Sequence, residues 1–348
     1  MRQQRGSVII IVLWTTILLT ILVTVMAGKV QLSARTAFHN REAATDLARI
    51  DSAMNQAEME LILETMQRPI DYIPETDEDG NYREPRNRFN GQPLSLYYPA
   101  GDDMVVRIYD HTGKINLNNL RANEMRLLIE KRLGPDADRQ QVNELVEAWS
   151  DWTDLNDQPG INGAERDYYE SLDPPYSPRN NSELDSVEEL RLIRGYDELF
   201  KDVNLDAAFT IYGSTQTVNL NFATREAMQL LPGLNDELIE EIIAYRERKD
   251  FRNKPDVGSI LPVENFAELS PWIGNNTSSY YSVFAYPKAN SASAESAEQE
   301  SSEEERPDPV TQAYMQIMEV SSPERRARVY KVDPYGRLPD TAPAHPEE

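Results

Sequence analysis

Residues 1–27 read MRQQRGSVIIIVLWTTILLTILVTVMA, and most of the architecture follows from this stretch. A short leader containing Arg2 and Arg5 precedes an apolar run over residues 8–27 that carries no charge. That run has about the length an α-helix needs to cross a bilayer. Positive charge in front of a span keeps the N-terminus in the cytoplasm. The sequence therefore predicts a single-pass inner-membrane protein whose C-terminal domain is exported. In a Gram-negative cell that domain lies in the periplasm.

Three interpretations of this N-terminus compete. The run is a plain signal anchor, or a secretory signal cleaved near residues 25–27, or a helix kept after cleavage between Gly6 and Ser7. The apolar core of a secretory signal has only about 7–15 residues, which is shorter than this run. The junction Arg5-Gly6-Ser7 resembles the leader of type IV prepilins. A lone glycine does not decide among the three.

An amphipathic pattern continues the apolar run. Ala43, Leu47, Ile50 and Met54 recur every three or four residues, and no proline occurs before Pro69. This spacing predicts a helix. We expect one helix over residues 7–66, about 90 Å long at 1.5 Å per residue.

Alternating strand patterns lie on both sides of a long helical segment. They cover residues 94–98, 104–109, 280–286, 313–320 and 327–332. Between them, INLN at 115–118 and VNLN at 218–221 each precede a pair of helical stretches. We interpret the segment as two related subdomains of one inserted helical domain. The predicted fold is α+β: a long pseudopilin-like helix on a small antiparallel sheet, with an all-α, SAM-like or helix-hairpin-helix-like domain between strands.

The predicted organisation has six parts. They are the leader 1–6, the helix 7–66, the first strands 67–110, the inserted domain 111–277, the returning strands 278–338 and the tail 339–348. Residues 289–309 are rich in Ser, Ala and Glu and contain little to bury, so we expect a disordered acidic loop there.

The composition limits the functional classes. The net charge is −24, with 59 acidic against 35 basic residues, and there is no cysteine. Such a charge repels nucleic acid. Disulfides and thiolate chemistry are excluded. The histidines His39, His111 and His345 lie far apart in the sequence, and no nucleophile or phosphate-loop motif occurs. We expect no enzymatic activity.

Oxygen-bearing side chains cluster after residue 150. The candidate metal ligands are Asp151, Asp154, Asn156, Gln158, Glu165 and Asp167. The spacing from Asp154 to Glu165 reproduces a twelve-residue calcium loop, although Pro159 replaces its central glycine. Hard oxygen ligands without His or Cys favour Ca²⁺. The alternative is a solvated acidic loop, and we favour calcium.

Residues 219–246 resemble a helix-hairpin-helix around Leu231-Pro232-Gly233-Leu234. In DNA-binding versions the hairpin presents backbone N–H groups to a phosphate. Here Asn235 replaces the second glycine, and four carboxylates follow within residues 236–241. We expect a packing module. A membrane-anchored DNA-binding or DNA-uptake module is the alternative function.

Together these segments resemble the type II secretion system protein K family. The resemblance rests on RGSVIIIVLW at 5–14, GKINLN at 113–118, residues 152–167, SVEEL at 186–190 with Gly195, and VNLN at 218–221. It implies a minor pseudopilin cleaved by the prepilin peptidase between Gly6 and Ser7. It also implies a complex with minor pseudopilins I and J at the pseudopilus tip.

The resemblance implies further partners and a cofactor. The major pseudopilin and the inner-membrane assembly platform are expected partners in exporting folded proteins from the periplasm across the outer membrane. Calcium binding in the helical domain is expected too, which supports Asp154, Asn156 and Glu165 as ligands.

Ile11 departs from the pattern of ordinary pseudopilins. Those proteins carry a glutamate at the fifth mature position, which is Ile11 here if cleavage follows Gly6. A carboxylate inside a membrane is costly unless it is paired, and it is thought to pair with the N-terminal amine of a neighbouring subunit. A subunit with Ile11 cannot form that pair, which suits a terminal position in a filament.

Overall fold

The computed structural model of the chain describes residues 5–66, 88–94, 104–178, 181–288 and 312–340. The chain forms two compact units, Met1–Ser52 and Ala53–Glu348. The predicted acidic loop 289–309, most of the loop 67–93, and the tail from residue 341 lie outside the described residues.

Seventeen helices and strands are numbered here in chain order. They are α1 Arg5–Thr65, β1 Asn90–Pro93, β2 Met104–Asp110, β3 Ile115–Asn116, α2 Ala122–Leu133, α3 Arg139–Thr153, α4 Arg166–Glu170, α5 Tyr196–Leu199, α6 Leu205–Ala208, β4 Phe209–Thr210, α7 Arg225–Leu230, α8 Asp236–Arg248, α9 Lys254–Gly258, α10 Val263–Leu269, β5 Tyr280–Pro287, β6 Gln312–Glu319 and β7 Arg328–Arg337.

The first unit contains the apolar part of α1. Its large apolar side chains are exposed, from 45% at Ile17 to 71% at Ile9. Among the described residues, this helix alone has the length and composition of a membrane span. The long N-terminal helix, which was predicted from the apolar run and the amphipathic pattern after it, is therefore confirmed.

The C-terminal turns of α1 belong to the second unit. Ala53, Ala57 and Leu61 are buried there. A spacing of four places them on one face of the helix. On the same segment, Glu58 Oε1 accepts a hydrogen bond from the backbone N–H of Ala327 at 2.8 Å. This contact ties the helix to the chain just before β7.

The sheet has five antiparallel strands in the order β1-β2-β5-β6-β7. One face buries a cluster that includes Val105, Phe284 and Met315. The first strand differs from the predicted 94–98: it ends at Pro93, and residues 95–98 lie outside the described residues.

The helical domain is inserted between β2 and β5, as predicted. Its core is one cluster of buried side chains that includes Leu128, Trp149, Phe200 and Leu230. The domain also contains the short parallel pair β3–β4. Two-residue strands leave no periodic signal, which is why the sequence did not indicate them.

The repeated INLN and VNLN segments have the same local geometry. Asn116 Oδ1 accepts a hydrogen bond from the N–H of Asn118 at 3.1 Å, and Asn219 Oδ1 accepts one from Asn221 at 3.1 Å. Each asparagine closes a short turn in this way. The division of the helical domain into two related subdomains stays a prediction.

A buried polar joint connects the sheet to the helical domain where β2 ends. It comprises Asp110, His111 and Lys114 together with Ser282 of β5. Lys114 Nζ donates to the hydroxyl of Ser282 at 2.8 Å and to the carbonyl oxygen of Asp206 at 2.7 Å. Burial lowers the pKa of Lys114 to about 8.

His111 and Asp110 complete this buried polar joint. The His111 ring lies between the hydroxyls of Thr210 and Ser282, at 2.7 and 2.9 Å. Asp110 Oδ1 accepts hydrogen bonds from the N–H and hydroxyl of Thr112, both at 2.7 Å. Burial raises the pKa of Asp110 to about 6 and lowers that of His111 well below its usual value.

Gly233 provides a test of the packing around the α7–α8 hairpin. Its φ is +78°, and a Cβ there would lie 2.3 Å from the carbonyl oxygen of Asn265. Gly213 has a similar φ of +83°, but its nearest neighbours would be 3.8 Å away. We expect Gly213→Ala to cost about 1–2 kcal/mol from backbone strain alone. Gly233→Ala should cost a further 1–3 kcal/mol or so from overpacking.

The measurement is chemical denaturation of the full chain in detergent, followed by tryptophan fluorescence. Equal losses for the two variants would contradict the close packing of Asn265 on the hairpin.

Candidate functional site

Three carboxylates from two helices and the loop between them meet at one point. Asp151 lies in the last turn of α3, Asp154 directly follows α3, and Glu165 directly precedes α4. One carboxylate oxygen from each lies within 4.8 Å of the others. Among the described residues this is the one group of three His, Cys, Asp or Glu side chains close enough to share a metal ion.

Two consecutive turns fold the loop back on itself. Asp154 Oδ1 accepts a hydrogen bond from the N–H of Asn156 at 2.9 Å, and Asn156 Oδ1 accepts one from Gln158 at 2.8 Å. Asx-turns of this kind reverse the chain without regular secondary structure. The loop can therefore bring Glu165 back to the helix that carries Asp151.

Two of the three carboxylates are buried, and Asp154 is half-buried. Asp151 is 5% exposed and Glu165 is 4% exposed. Asp151 receives the N–H of Gly160 at 3.1 Å. Neither oxygen of Glu165 receives a hydrogen bond of normal geometry from any described residue. A buried polar oxygen without a partner is costly, so Glu165 requires a proton or a cation.

The pKa values of the site carboxylates are raised by burial and by repulsion among their negative charges. Burial, followed by the charges of Asp151 and Asp154, raises the pKa of Glu165 to about 7. Burial also raises the pKa of Asp151. Three ionised carboxylates this close repel one another unless a cation lies between them. The donor set consists of hard oxygens, which suits Ca²⁺.

Gly163 permits the close approach of the loop to Asp151. A Cβ at Gly163 would lie 1.7 Å from Asp151 Oδ2, so only glycine fits. Arg194 fixes the same turn, because its guanidinium donates to the carbonyl oxygen of Gly163 at 3.0 Å and to that of Asn162. Beneath the loop, the rings of Trp152 and Tyr169 pack edge to face at 5.1 Å. The loop thus rests on the hydrophobic core of the domain.

The structure divides the six predicted ligands into two sets. Asp151, Asp154 and Glu165 are brought together. Asn156 and Gln158 are exposed, and both take part in the loop turns. Asp167 is exposed in the first turn of α4 and does not join the group. Spacing along the loop did not reveal that a turn would use the side-chain oxygen of Asn156.

One further carboxylate escaped the sequence analysis. Glu147 lies four residues before Asp151 on α3, and its Oε2 would be 2.3 Å from a Cβ placed on Gly160. Its charge also raises the pKa of Asp151. The four-residue spacing places both acids on one helix face, and this signal was available in the sequence.

The helix-hairpin-helix pattern corresponds to α7 and α8. Asn235 caps α8, and its Oδ1 accepts the N–H of Leu238 at 2.9 Å. The hairpin backbone is covered from one side, because Asn265 Nδ2 donates to the carbonyl oxygen of Gly233 at 2.8 Å. Asp236 and Glu237 lie in the first turn of α8, directly after the hairpin. The packing module stays a prediction.

The other residues named in the sequence analysis lie outside the carboxylate group. Gly6, Ser7 and Ile11 all lie in α1, and Ile11 is 59% exposed. His39 is exposed on the same helix. His111 belongs to the buried polar joint, and His345 lies outside the described residues. Cleavage between Gly6 and Ser7 stays a prediction.

A long apolar N-terminal helix, an antiparallel sheet and a helical domain inserted between strands define a pseudopilin-like protein with a large insert. The family model of type II secretion system protein K matches residues 113–202. Type II secretion system protein K of Pseudomonas aeruginosa is 25% identical over 275 residues, covering 73% of this chain and 76% of that protein.

Two further relatives carry the same protein K description. Type II secretion system protein K of Pectobacterium carotovorum is 27% identical over 214 residues, covering 56% of this chain and 63% of that protein. The putative type II secretion system protein K of Escherichia coli is 23% identical, covering 67% and 70%. The chain is thus similar to type II secretion system protein K of several bacteria.

A solved structure has the same fold. The GspK–GspI–GspJ complex of the enterotoxigenic Escherichia coli type 2 secretion system contains a chain that superposes with a TM-score of 0.54 at 14% identity. The match covers 85% of this chain and 98% of that one. It confirms the predicted α+β architecture.

Glu165 gives the site a measurable pH dependence. Its pKa rises from 4.5 to about 7 on folding, so the metal-free folded chain loses stability as the pH rises through that interval. Glu165→Gln removes the charge. With a chelator present, we expect this variant to be more stable than the parent at pH 8, by on the order of 1 kcal/mol. Little difference is expected at pH 4.5.

Thermal unfolding at the two pH values measures the effect, with Asp167→Asn as the control outside the group. A variant that is less stable than the parent at pH 8 would contradict the repulsion at this site.

Proposed function

We propose that this protein is a minor pseudopilin at the tip of the pseudopilus in type II secretion. In this role it initiates or caps pseudopilus assembly together with minor pseudopilins I and J. The machine exports folded proteins from the periplasm across the outer membrane. The proposal rests on the order of the elements along the chain. The helix α1, with exposed apolar side chains, comes first, and a helical domain is inserted between strands β2 and β5.

The anchor supports the proposed placement. The basic leader stays in the cytoplasm, the apolar part of α1 crosses the inner membrane, and the rest of the chain lies in the periplasm. The prepilin peptidase removes residues 1–6 and leaves Ser7 as the mature N-terminus. The assembly platform and the major pseudopilin then contact this helix. The role is structural and involves no catalysis.

Ile11 supports a terminal position. A subunit with an apolar side chain at the fifth mature residue cannot form the intramembrane pair that joins successive subunits, because a carboxylate is missing. A large helical domain also occupies space that a following subunit would need. Both features suit one copy at the end of a filament.

We also propose that Asp151, Asp154 and Glu165 hold one Ca²⁺. The partnerless, buried oxygens of Glu165 support this assignment, as does the raised pKa of that side chain. A bound divalent cation would neutralise the repulsion and fix the loop against α3. Glu147 adds negative charge beside Asp151 on α3.

The calcium proposal predicts a metal-dependent gain in stability. Ca²⁺ at about 100 times its Kd should stabilise the chain by about 2.7 kcal/mol relative to chelator. Glu165→Gln and Asp154→Asn should lose most of this gain. Asp167→Asn should keep it, because Asp167 lies outside the group. Thermal unfolding with Ca²⁺ or Mg²⁺ measures the response, and an equal response in all three variants would refute the assignment.

The pseudopilin proposal predicts the mass of the mature protein. In cells with the prepilin peptidase, the membrane-bound chain should begin at Ser7. Without the peptidase it should keep residues 1–6. Intact-mass spectrometry of the purified membrane protein measures this, and cleavage after Ala27 or an uncut chain in both cells would refute the proposal.

The tip position predicts an effect of the fifth mature residue. Ile11→Glu supplies the missing carboxylate and should permit incorporation along the pseudopilus, which disturbs its termination. Pseudopilus length in cells overproducing the major pseudopilin gives the readout, with Ile11→Gln as the uncharged control. A tip role is contradicted if deletion of the protein leaves both assembly and secretion intact.

A further inference from the structure

Strand β7 is a long, open edge of the sheet. It is ten residues long, and among the described residues it pairs with β6 alone. The opposite edge, β1, has four residues and ends at Pro93. In an antiparallel ladder alternate residues point to opposite sides, so half the backbone N–H and C=O groups of an edge strand have no strand beside them.

The open part of β7 covers its N-terminal half. Near the other end, the N–H of Tyr335 donates to Asp333 Oδ1 at 2.9 Å, and Asn204 Nδ2 donates to the carbonyl oxygen of Arg337 at 3.1 Å. Within the described residues, no backbone hydrogen bond joins residues 328–332 to an element other than β6. This half can therefore accept a further strand.

The usual protection of an edge strand is only partial over residues 328–332. A register shift lies opposite Ile317 and Met318, and Pro334 lies just beyond this half of the strand. Charged side chains on the strand, lysine above all, normally discourage pairing. The central Lys331 instead pairs with Asp206 at 2.8 Å and with Glu188, both in the helical domain. Val329 and Val332 are 47% and 50% exposed. With Lys331 held by the helical domain and two valines exposed, this part of the edge can pair with a further strand.

Positive charge surrounds this edge in a strongly acidic protein. Residues 324–337 contain five basic and two acidic residues, whereas the whole chain has a net charge of −24. Arg325, Arg326 and Arg328 are all exposed. Arg328 lies over the ring of Tyr330, with its guanidinium carbon 4.9 Å from the centroid. The complementary ligand carries negative charge.

We propose that β7 binds an extended acidic segment of a neighbouring minor pseudopilin, which adds to the sheet as a sixth strand. This inference rests on the proposed function for the identity of the neighbour. Backbone hydrogen bonds to residues 328–332 provide the register, as in other cases of strand addition. Val329 and Val332 contact apolar side chains of the incoming strand, and the three arginines contact its carboxylates.

Hydrogen–deuterium exchange tests the strand pairing directly. The full chain in detergent is compared alone and with purified minor pseudopilins I and J. Amides of residues 328–332 that lack a partner in the free chain should exchange at least about tenfold more slowly in the complex, because they become hydrogen-bonded. The edge strand β1 serves as the internal reference and should not change.

A pair of matched variants tests the surface. Val332→Glu places a negative charge on the edge, whereas Val263→Glu places one on α10 at another exposed valine, 83% exposed. Val332→Glu should weaken binding of I and J at least about tenfold, and Val263→Glu less than about twofold. Arg326→Glu with Arg328→Glu should also weaken binding. The parent affinity should fall with salt, since exposed charges are screened.

The outcomes separate the inference from the proposed function. If I and J bind the parent while β7 exchange and the Val332→Glu affinity are unchanged, strand addition is refuted and the pseudopilin function stands. If I and J do not bind the parent, both fall. If a second copy of the chain alone slows exchange in β7, the occupant is that second copy. If deletion of residues 289–309 abolishes the slow exchange, the occupant is that segment. Either result overturns the proposal. Unchanged circular dichroism of each variant confirms folding.

Discussion

The buried polar joint at the end of β2 holds together the sheet and the inserted helical domain. One short segment leaves the sheet at Asp110 and enters the helical domain at Ile115, and within it Lys114 reaches both Ser282 of β5 and Asp206 of α6. Buried ionisable groups are destabilising unless they are hydrogen-bonded. Any relative movement of sheet and helices would break several of these bonds at once. The inserted domain is therefore fixed to the sheet rather than attached by a flexible linker.

The same requirement, that buried polar groups must be satisfied, explains the contrast between this joint and the carboxylate group. In the joint, Asp110 and His111 have internal partners at normal hydrogen-bond distances. At the loop, Glu165 has none, although it is as buried as the joint residues. The joint is complete within the chain, whereas the loop is complete only with an added proton or cation. This difference is the reason to assign a ligand to the second site.

Charge has two separate functions along the chain. Its overall excess of acid disfavours nucleic acid as a partner, and the covered hairpin at Gly233 agrees with that. The local reversal of sign near β7, with Arg325, Arg326 and Arg328 exposed, concentrates attraction on one edge of the sheet. The net charge of the whole chain gives no indication of this local positive charge. Only the strand order indicates that the basic residues adjoin unpaired backbone.

Local patterns in the sequence were sufficient for the long helix, the insertion between strands and the residue types of the loop site. The apolar run and the amphipathic pattern after it predicted α1. The cluster after residue 150 contained all three carboxylates of the candidate metal site. Tertiary structure decided the rest. The side-chain oxygen of Asn156 accepts the backbone N–H of Gln158 in a turn. Glu147 shares a helix face with Asp151, but its approach to Gly160 of the loop depends on the path of the chain. Likewise, the place of β7 at the edge depends on pairing between strands distant in sequence. Such non-local contacts are set by core packing, to which no short stretch of sequence gives access.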